Sequence, residues 1–414
     1  MHRELTDEEL LKLLEAPPSY KAPNLYDTEL DKLITERGRQ TVRQKREQYF
    51  WKVIIGVIIG GLFGLVSSFV APSIVFQVTL LSLAVYFAIG YLVGNHRSKL
   101  VSKTFKSGRH DLTLKMLPDA ISWNTAWYPL TIKSLLNCQN IELNLLLNEG
   151  RILELEAHSR FLMTHINPAR LQNSRLLPRL QNNIWVSWML AGRYLEAAEG
   201  FASSDLNKTE KHIRTIILNN LALCQVKGGD PKAAQETLDR AFAEISSQPR
   251  SPVRPNLEFI QASVYIEQNN LSAAEAAIDK AKAMAEKIGN SDLQADCMVL
   301  NGRILSKQQR YDEAELFFKN AIEVFSSTDN THYLSLCFAM HYYAQMILER
   351  GDEKSALRSM RKIIEYTHSY QKREESTCER IKQRLRDTSQ IRTASDLITL
   401  GEREPLIELG TADS

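Results

Sequence analysis

Ala191-Gly192-Arg193-Tyr194-Leu195-Glu196-Ala197-Ala198-Glu199-Gly200-Phe201 is the stretch whose spacing recurs along the rest of the chain. Related stretches follow it: GDPKAAQETL from Gly229, NNLSAAEAAI from Asn269, QRYDEAELFF from Gln309 and GDEKSALRSM from Gly351. Each opens on a turn residue and places an alanine five positions on, at Ala197, Ala234, Ala274, Ala314 and Ala356. Four residues further stands a large apolar side chain: Phe201, Leu238, Ile278, Phe318 or Met360. In the last four units a small residue precedes the alanine by twelve positions, at Ala222, Ala262, Gly302 and Ala344. In three of them Ala241, Ala281 or Ala321 follows it by seven. Two antiparallel helices cross closely only where both present small side chains, and the large residue then fills the space against the next unit. The spacing predicts an all-α fold of stacked helix hairpins.

This pattern resembles the tetratricopeptide (TPR) repeat family. Successive key alanines lie 37, 40, 40 and 42 residues apart, longer than the usual ~34. The array is therefore similar to extended repeats of the kinesin light chain type, with Ser246 to Pro255 as one lengthened loop. Stepping back by the same period reaches Gly150-Arg151 and Gly108-Arg109, where Leu155 and Thr113 replace the key alanine. These read as degenerate units over 95–177, ahead of a TPR array over 178–366. Trp123, Trp127, Trp185 and Trp188 are expected to fill the core between units. A charged capping helix is expected over 367–390 and a flexible tail over 391–414. In that tail Glu402-Arg403-Glu404-Pro405-Leu406-Ile407 resembles an acidic dileucine sorting signal.

Between the N terminus and the array lies an apolar block: VIIGVIIGGLFGLVSSFV from Val53, then Ala71-Pro72-Ser73, then IVFQVTLLSLAVYFAIGYLV to Val93. The runs hold 18 and 20 residues with no charge. Such lengths, about 27 and 30 Å as helices, match the hydrocarbon thickness of a bilayer. A transmembrane hairpin is expected over 49–94, with spans at 53–70 and 74–93. Arg37, Arg39, Arg43, Lys45, Arg46 and Lys52 precede it, and Arg97, Lys99, Lys103, Lys106 and Arg109 follow it. Both flanks are basic, so an integral two-pass protein with cytoplasmic N and C termini is expected. Gly56, Gly60, Gly64 and Ser68 form a small-residue ridge, and Gly90 and Gly94 repeat the spacing. Such ridges let helix backbones approach closely, within one hairpin or between copies of a homo-oligomer. If Gly108 opens a repeat turn, the second apolar run continues through Gly94 into the first array helix.

Residues 1–48 read as a cytoplasmic segment with short helices and a proline linker. Thr6-Asp7-Glu8-Glu9 has the form of a capping box. Pro17-Pro18-Ser19-Tyr20 reads foremost as part of an extended proline linker, although it also matches the PPxY pattern read by WW domains.

The chain carries 51 basic and 49 acidic residues, for a net charge of +2. That balance gives no footprint for nucleic acid. Cys138, Cys224, Cys297, Cys337 and Cys378 are odd in number and widely spaced, so neither a disulfide framework nor a metal site is expected. No nucleophile elbow, zinc-protease, phosphate-loop or dinucleotide motif occurs. His158 and His165 read as ordinary helix residues. Neither an enzyme nor a cofactor is expected, and function must lie in binding.

The TPR resemblance implies that the first helices of the units line a concave groove for a protein partner. The repeat phase places Asn182, Asn183, Asn219, Leu223, Phe259, Ser263, Val299, Arg303, His341 and Gln345 in it. Leu223 stands where carboxylate-clamp TPR domains carry Asn, which argues against a chaperone C terminus as ligand. The expected function is a membrane-anchored adaptor that recruits a protein partner to a membrane complex, with the lipid bilayer as a second contact. The alternative is a secreted bacterial effector held in a host vacuolar membrane, because the bilobed hairpin looks like the chlamydial inclusion-membrane proteins. A lesser alternative is an oligomeric glycine-ridge assembly controlled by the array.

Overall fold

The computed structural model describes residues 5–22, 24–68, 72–107, 109–127, 132–165, 177–247, 251–327 and 333–387. Its helices are α1 (Asp7–Glu15), α2 (Thr28–Ser68), α3 (Pro72–Lys106), α4 (His110–Ala126), α5 (Ile132–Asn148) and α6 (Ile152–His165). Then come α7 (Leu177–Leu190), α8 (Tyr194–Ala202), α9 (Lys211–Lys227), α10 (Pro231–Ile245) and α11 (Arg254–Glu267). The last are α12 (Leu271–Ile288), α13 (Ser291–Lys307), α14 (Tyr311–Ser327), α15 (Tyr333–Glu349) and α16 (Glu353–Arg386). Among the described residues there is no strand.

The turn residue that opens each repeat stretch adopts left-handed backbone: Gly192, Gly229, Asn269, Gln309 and Gly351 all have positive φ. Each turn closes with the same pair of hydrogen bonds. Asn269 N donates to Ile266 O and Asn270 N to Tyr265 O, and the same pair recurs at Gly192, Gly229, Gln309 and Gly351. This is a Schellman closure, which satisfies the last carbonyls of one helix and reverses the chain. The next helix then starts at once on a cap: Asp230, Asn270 and Asp352 accept from Ala233, Ala273 and Ser355 N. Gly150, at the head of the weaker unit, has φ +62° and the same bonds. The pairs α7/α8, α9/α10, α11/α12, α13/α14 and α15/α16 stack as an α-solenoid.

Packing inside each pair follows the small–large rule read from the sequence. Ala222, Ala234, Ala262, Ala274, Ala314, Ala344 and Ala356 are all fully buried. A Cβ added at Gly302 would lie 2.9 Å from the ring of Phe318, so only glycine lets that ring seat. Trp185 and Trp127 are buried, and Trp185 meets Phe201 edge-on at 5.6 Å. The last helix departs from the expected boundary at 366: α16 runs unbroken for 34 residues through the predicted cap. Tyr366 and Tyr370 both stack on Tyr333, the latter at 3.8 Å between centroids, which carries the core past residue 366. The tail over 391–414, including 402–407, lies outside the described residues.

Among the described residues, no helix is long and apolar enough to cross a membrane. This corrects the expected transmembrane hairpin, and with it the integral two-pass placement with cytoplasmic N and C termini. The apolar runs are adjoining ends of helices of 41 and 35 residues whose other ends are charged. Residues 69–71 lie outside the described set. Polar groups also reach into the predicted hairpin: Lys52 Nζ donates to Ala126 O at 2.5 Å, and Trp123 Nε1 to Gly90 O at 3.1 Å. Ile55, Ile58, Val85, Ile89 and Leu92 stand exposed on this pair.

The small residues serve packing within the chain. A Cβ at Gly56 would come 2.8 Å from Leu83 of α3, so α2 and α3 close against each other there. Gly90 is covered by the Trp127 indole, and Gly94 O accepts from Asn124 Nδ2 at 3.4 Å, so these two seat the α4 end rather than α2. The surroundings of Gly60, Gly64 and Ser68 lie outside the described side chains. As expected from the register, α3 continues through Gly94 without a break.

The two ends of the chain meet. Leu30 and Ile34 of α2 are buried with Leu146, Leu153 and Phe161, and with Cys378, Ile381 and Leu385 of α16. Lys382 Nζ bonds Asp27 at 2.7 Å and Arg386 bonds Glu29 at 2.5 Å. This clasp leads back to residues 5–22, which lie against α15, α16 and the first helices of the earlier pairs.

Candidate functional site

The first helices of five successive pairs converge on one channel. Met189 and Leu190 of α7, Leu223 and Lys227 of α9, Phe259 of α11, Val299 and Arg303 of α13, and Phe338 and Tyr342 of α15 line an inner cavity of 130 Å³. An outer cavity of 330 Å³ continues past Tyr194, Ser263, Glu267 and Arg303 to Pro17, Pro18, Ser19 and Tyr20. The channel mixes aromatic walls with paired charges. Arg303 bonds Glu267 at 3.0 Å and lies over the Tyr342 ring at 4.4 Å. Lys227 Nζ sits 4.6 Å over the Phe338 ring, and Asp296 is on the same wall. Burial, with Arg303 adding to it, pushes the Lys227 ammonium down to about 8. A cation in a desolvated pocket loses charge more readily.

The far part of the groove is occupied by the chain itself. α1 opens on the predicted capping box, with Thr6 and Glu9 bonding each other's backbone N–H. Its Leu10 and Leu14 are buried among residues of α15 and α16. The helix stops at Ala16, which turns to φ −74°, ψ 151° ahead of Pro17, because proline disfavours helical backbone before it. Gln345 Nε2 donates to Leu14 O at 2.8 Å and to Ala16 O at 3.2 Å. The Tyr20 hydroxyl bonds His341 Nδ1 at 2.6 Å, and its ring meets Phe338 edge-on at 5.8 Å. Ala22 N then donates to Ala191 O at 2.8 Å. Burial pushes the Tyr20 phenol well above its usual range and the His341 imidazole down to about 4. His341 is thus neutral at pH 7, and its Nδ1 shares a hydrogen bond with the Tyr20 hydroxyl.

The predicted groove residues divide into three groups. Leu223, Phe259, Ser263, Val299 and Arg303 do line the channel. His341 and Gln345 are lining residues of neither cavity and instead hold the N-terminal segment. Asn182, Asn183 and Asn219 line neither cavity. Asn219 is buried and donates to Asn220 Oδ1 at 3.1 Å, while Asn182 is half-buried on α7 with its Oδ1 enclosed and unbonded. The repeat phase missed Lys227 and Glu267. Both lie one turn beyond Leu223 and Ser263 on the same helix faces, so extending the phase by four residues finds them. Tyr20 was read only as part of a linker motif. Its seat in the channel depends on a contact 321 residues away in sequence.

Among the described residues, no group of His, Cys, Asp or Glu is arranged to hold a metal ion, and the five cysteines are free and buried. His158 is fully buried in α6, 3.4 Å from the Glu142 carboxylate. Comparison with family models and with curated proteins finds no match.

Proposed function

We propose that this chain is an interaction scaffold that takes a segment of a partner protein in the channel lined by α7, α9, α11, α13 and α15. The observation that carries this reading is that the chain's own residues 14–22 already lie along the channel, held partly through backbone carbonyls and partly through one aromatic side chain. An amide side chain reads two backbone carbonyls, and an aromatic residue enters a pocket between stacked helices. The resemblance of the repeats to the TPR family supports the same reading. The wall chemistry suits a segment with apolar and neutral polar side chains, since each cation of the channel has an acid near it.

The test is site-directed photo-crosslinking in the full chain. A benzoylphenylalanine at Phe259 should capture a discrete partner, and one at Leu316, exposed on α14, should not. Adding Arg303→Glu should abolish capture at Phe259. Equal capture from both positions, or capture indifferent to Arg303→Glu, would remove the channel as the binding site.

A further inference from the structure

We propose that residues 7–22 are a displaceable internal ligand of the channel, and that its external ligand is a protein segment of the same design. That design is a short leucine-bearing helix followed by an extended stretch with a tyrosine anchor. The inference rests on the reading of the channel as a protein-binding site.

Three observations carry it. The first is how the segment is held. Gln345 reads backbone carbonyls of Leu14 and Ala16 and so accepts many sequences, whereas the Tyr20–His341 bond selects one side chain. Burial keeps His341 neutral, and a neutral imidazole in an apolar pocket pairs with a phenol at less desolvation cost than with a carboxylate. The second is an asymmetry of attachment. Past residue 24 the chain is locked by Leu30 and Ile34 in the core and by the Lys382 clasp. Before it, Leu10 and Leu14 are buried against α15 and α16 and Ala22 N donates to Ala191 O, but the segment is only a nine-residue helix and an extended stretch, neither of which holds its form alone. The exposed Asp7–Arg361 ion pair contributes little, and ordering the segment costs entropy. These contacts are made or lost together, so residues 7–22 leave as a unit while the clasp keeps them close. The third is unfilled space. The segment leaves cavities of 330 and 130 Å³ beside Tyr20 and deeper along the channel. A partner that reaches Phe259 and Lys227 makes contacts the internal segment does not.

The experiment uses the full chain and a fluorescein-labelled peptide copy of its own residues 5–24, followed by anisotropy. A tethered segment competes at an effective concentration that reaches millimolar for short linkers, so wild-type protein should bind the peptide weakly. Full-length Tyr20→Ala should bind it at least about tenfold more tightly, because the internal copy has lost its anchor. A peptide carrying Tyr20→Ala should not bind, and adding Gln345→Ala to the Tyr20→Ala protein should lose about tenfold of the gain. Circular dichroism on each variant checks that the helices are intact. The proposal is overturned if intact Tyr20→Ala protein binds no better than wild type, or if the two peptides bind alike. Phe259 crosslinking that persists after such a result would leave the channel as a partner site and remove only the internal-ligand idea.

Discussion

At the scale of single residues, the turns decide where the chain reverses. Gln309 and Asn269 hold φ of +63° and +56°, where the other repeat turns use glycine. An L-residue there brings Cβ against the following carbonyl at about 1–2 kcal/mol, less for Asn. Gln309→Gly should therefore raise the unfolding free energy by about 0.5–1 kcal/mol, after the extra unfolded-state entropy of glycine is offset. The urea midpoint should rise with the slope unchanged, and Asn269→Gly should give a smaller gain. Gly192 is constrained twice: its φ is +76°, and any Cβ would run into the Tyr20 carbonyl of the overlying segment. His341 yields a pH prediction. Its folded pKa is depressed from about 6.5 to about 4, so protons bind preferentially once it is freed. Its contribution is intact above pH 6.5 and is lost as pH falls from there towards 4. Amide exchange over residues 14–22, corrected for intrinsic rate, should be faster at pH 5 than at pH 7. His341→Gln should remove that difference, and an unchanged difference would exclude His341 as its source.

At the scale of elements, hairpin packing rests on small-against-large pairs. Gly302 beneath the Phe318 ring is one of them, with ring atoms 2.9 to 3.0 Å from where a Cβ would stand. Phe318 is fully buried and has nowhere to retreat. Gly302→Val should destabilise by about 2–3 kcal/mol through overpacking, despite leaving a residue with higher helix propensity than glycine. Thermal unfolding of the variant tests this; a neutral result would mean the α13/α14 crossing is slack. These pairs were legible because they are local: both partners lie within one hairpin at fixed spacing. The apolar hairpin was legible as two helices and misread in role. Run length reports hydrophobicity, but the residues that cover the second run, Trp123 and Trp127, come from a later helix and its end, where Ala126 O also accepts from Lys52.

At the scale of the whole molecule, the clasp between α2 and α16 closes the N-terminal segment over the solenoid. The Lys382 side chain is 7% exposed, while Asp27 and Glu29 are about half in solvent. Removing the two acids leaves Lys382, little exposed, with Glu379 alone at 3.6 Å, whereas removing the lysine leaves carboxylates that water can solvate. Asp27→Asn with Glu29→Gln should therefore destabilise more than Lys382→Met does. Asn at 27 keeps the cap on Leu30 N, so the loss reports the ion pairs. Chemical denaturation of both variants gives the comparison, and the reverse order would mean that Lys382 is hydrated. Lys382 holds the Asp27 carboxyl below its usual range. That part of the stability is present at neutral pH and is lost only as pH falls below the ordinary aspartate value, at the depressed folded pKa.

The repeat register, the turn positions, the buried alanines and five of the residues that line the channel were determined by sequence alone, because each depends on residues a few turns apart on one hairpin. Tertiary structure alone decided what occupies the groove. Tyr20 meets His341, and Asp27 meets Lys382, across more than 300 residues. No periodicity encodes such a meeting: it arises only when the last helices of the solenoid pack against the start of the chain. The same closure turned Pro17–Tyr20 from a linker into an occupant of the channel. The stretch from Ala191 to Phe201 thus specifies the hairpin, and the packing of the last helices against the start of the chain specifies the site.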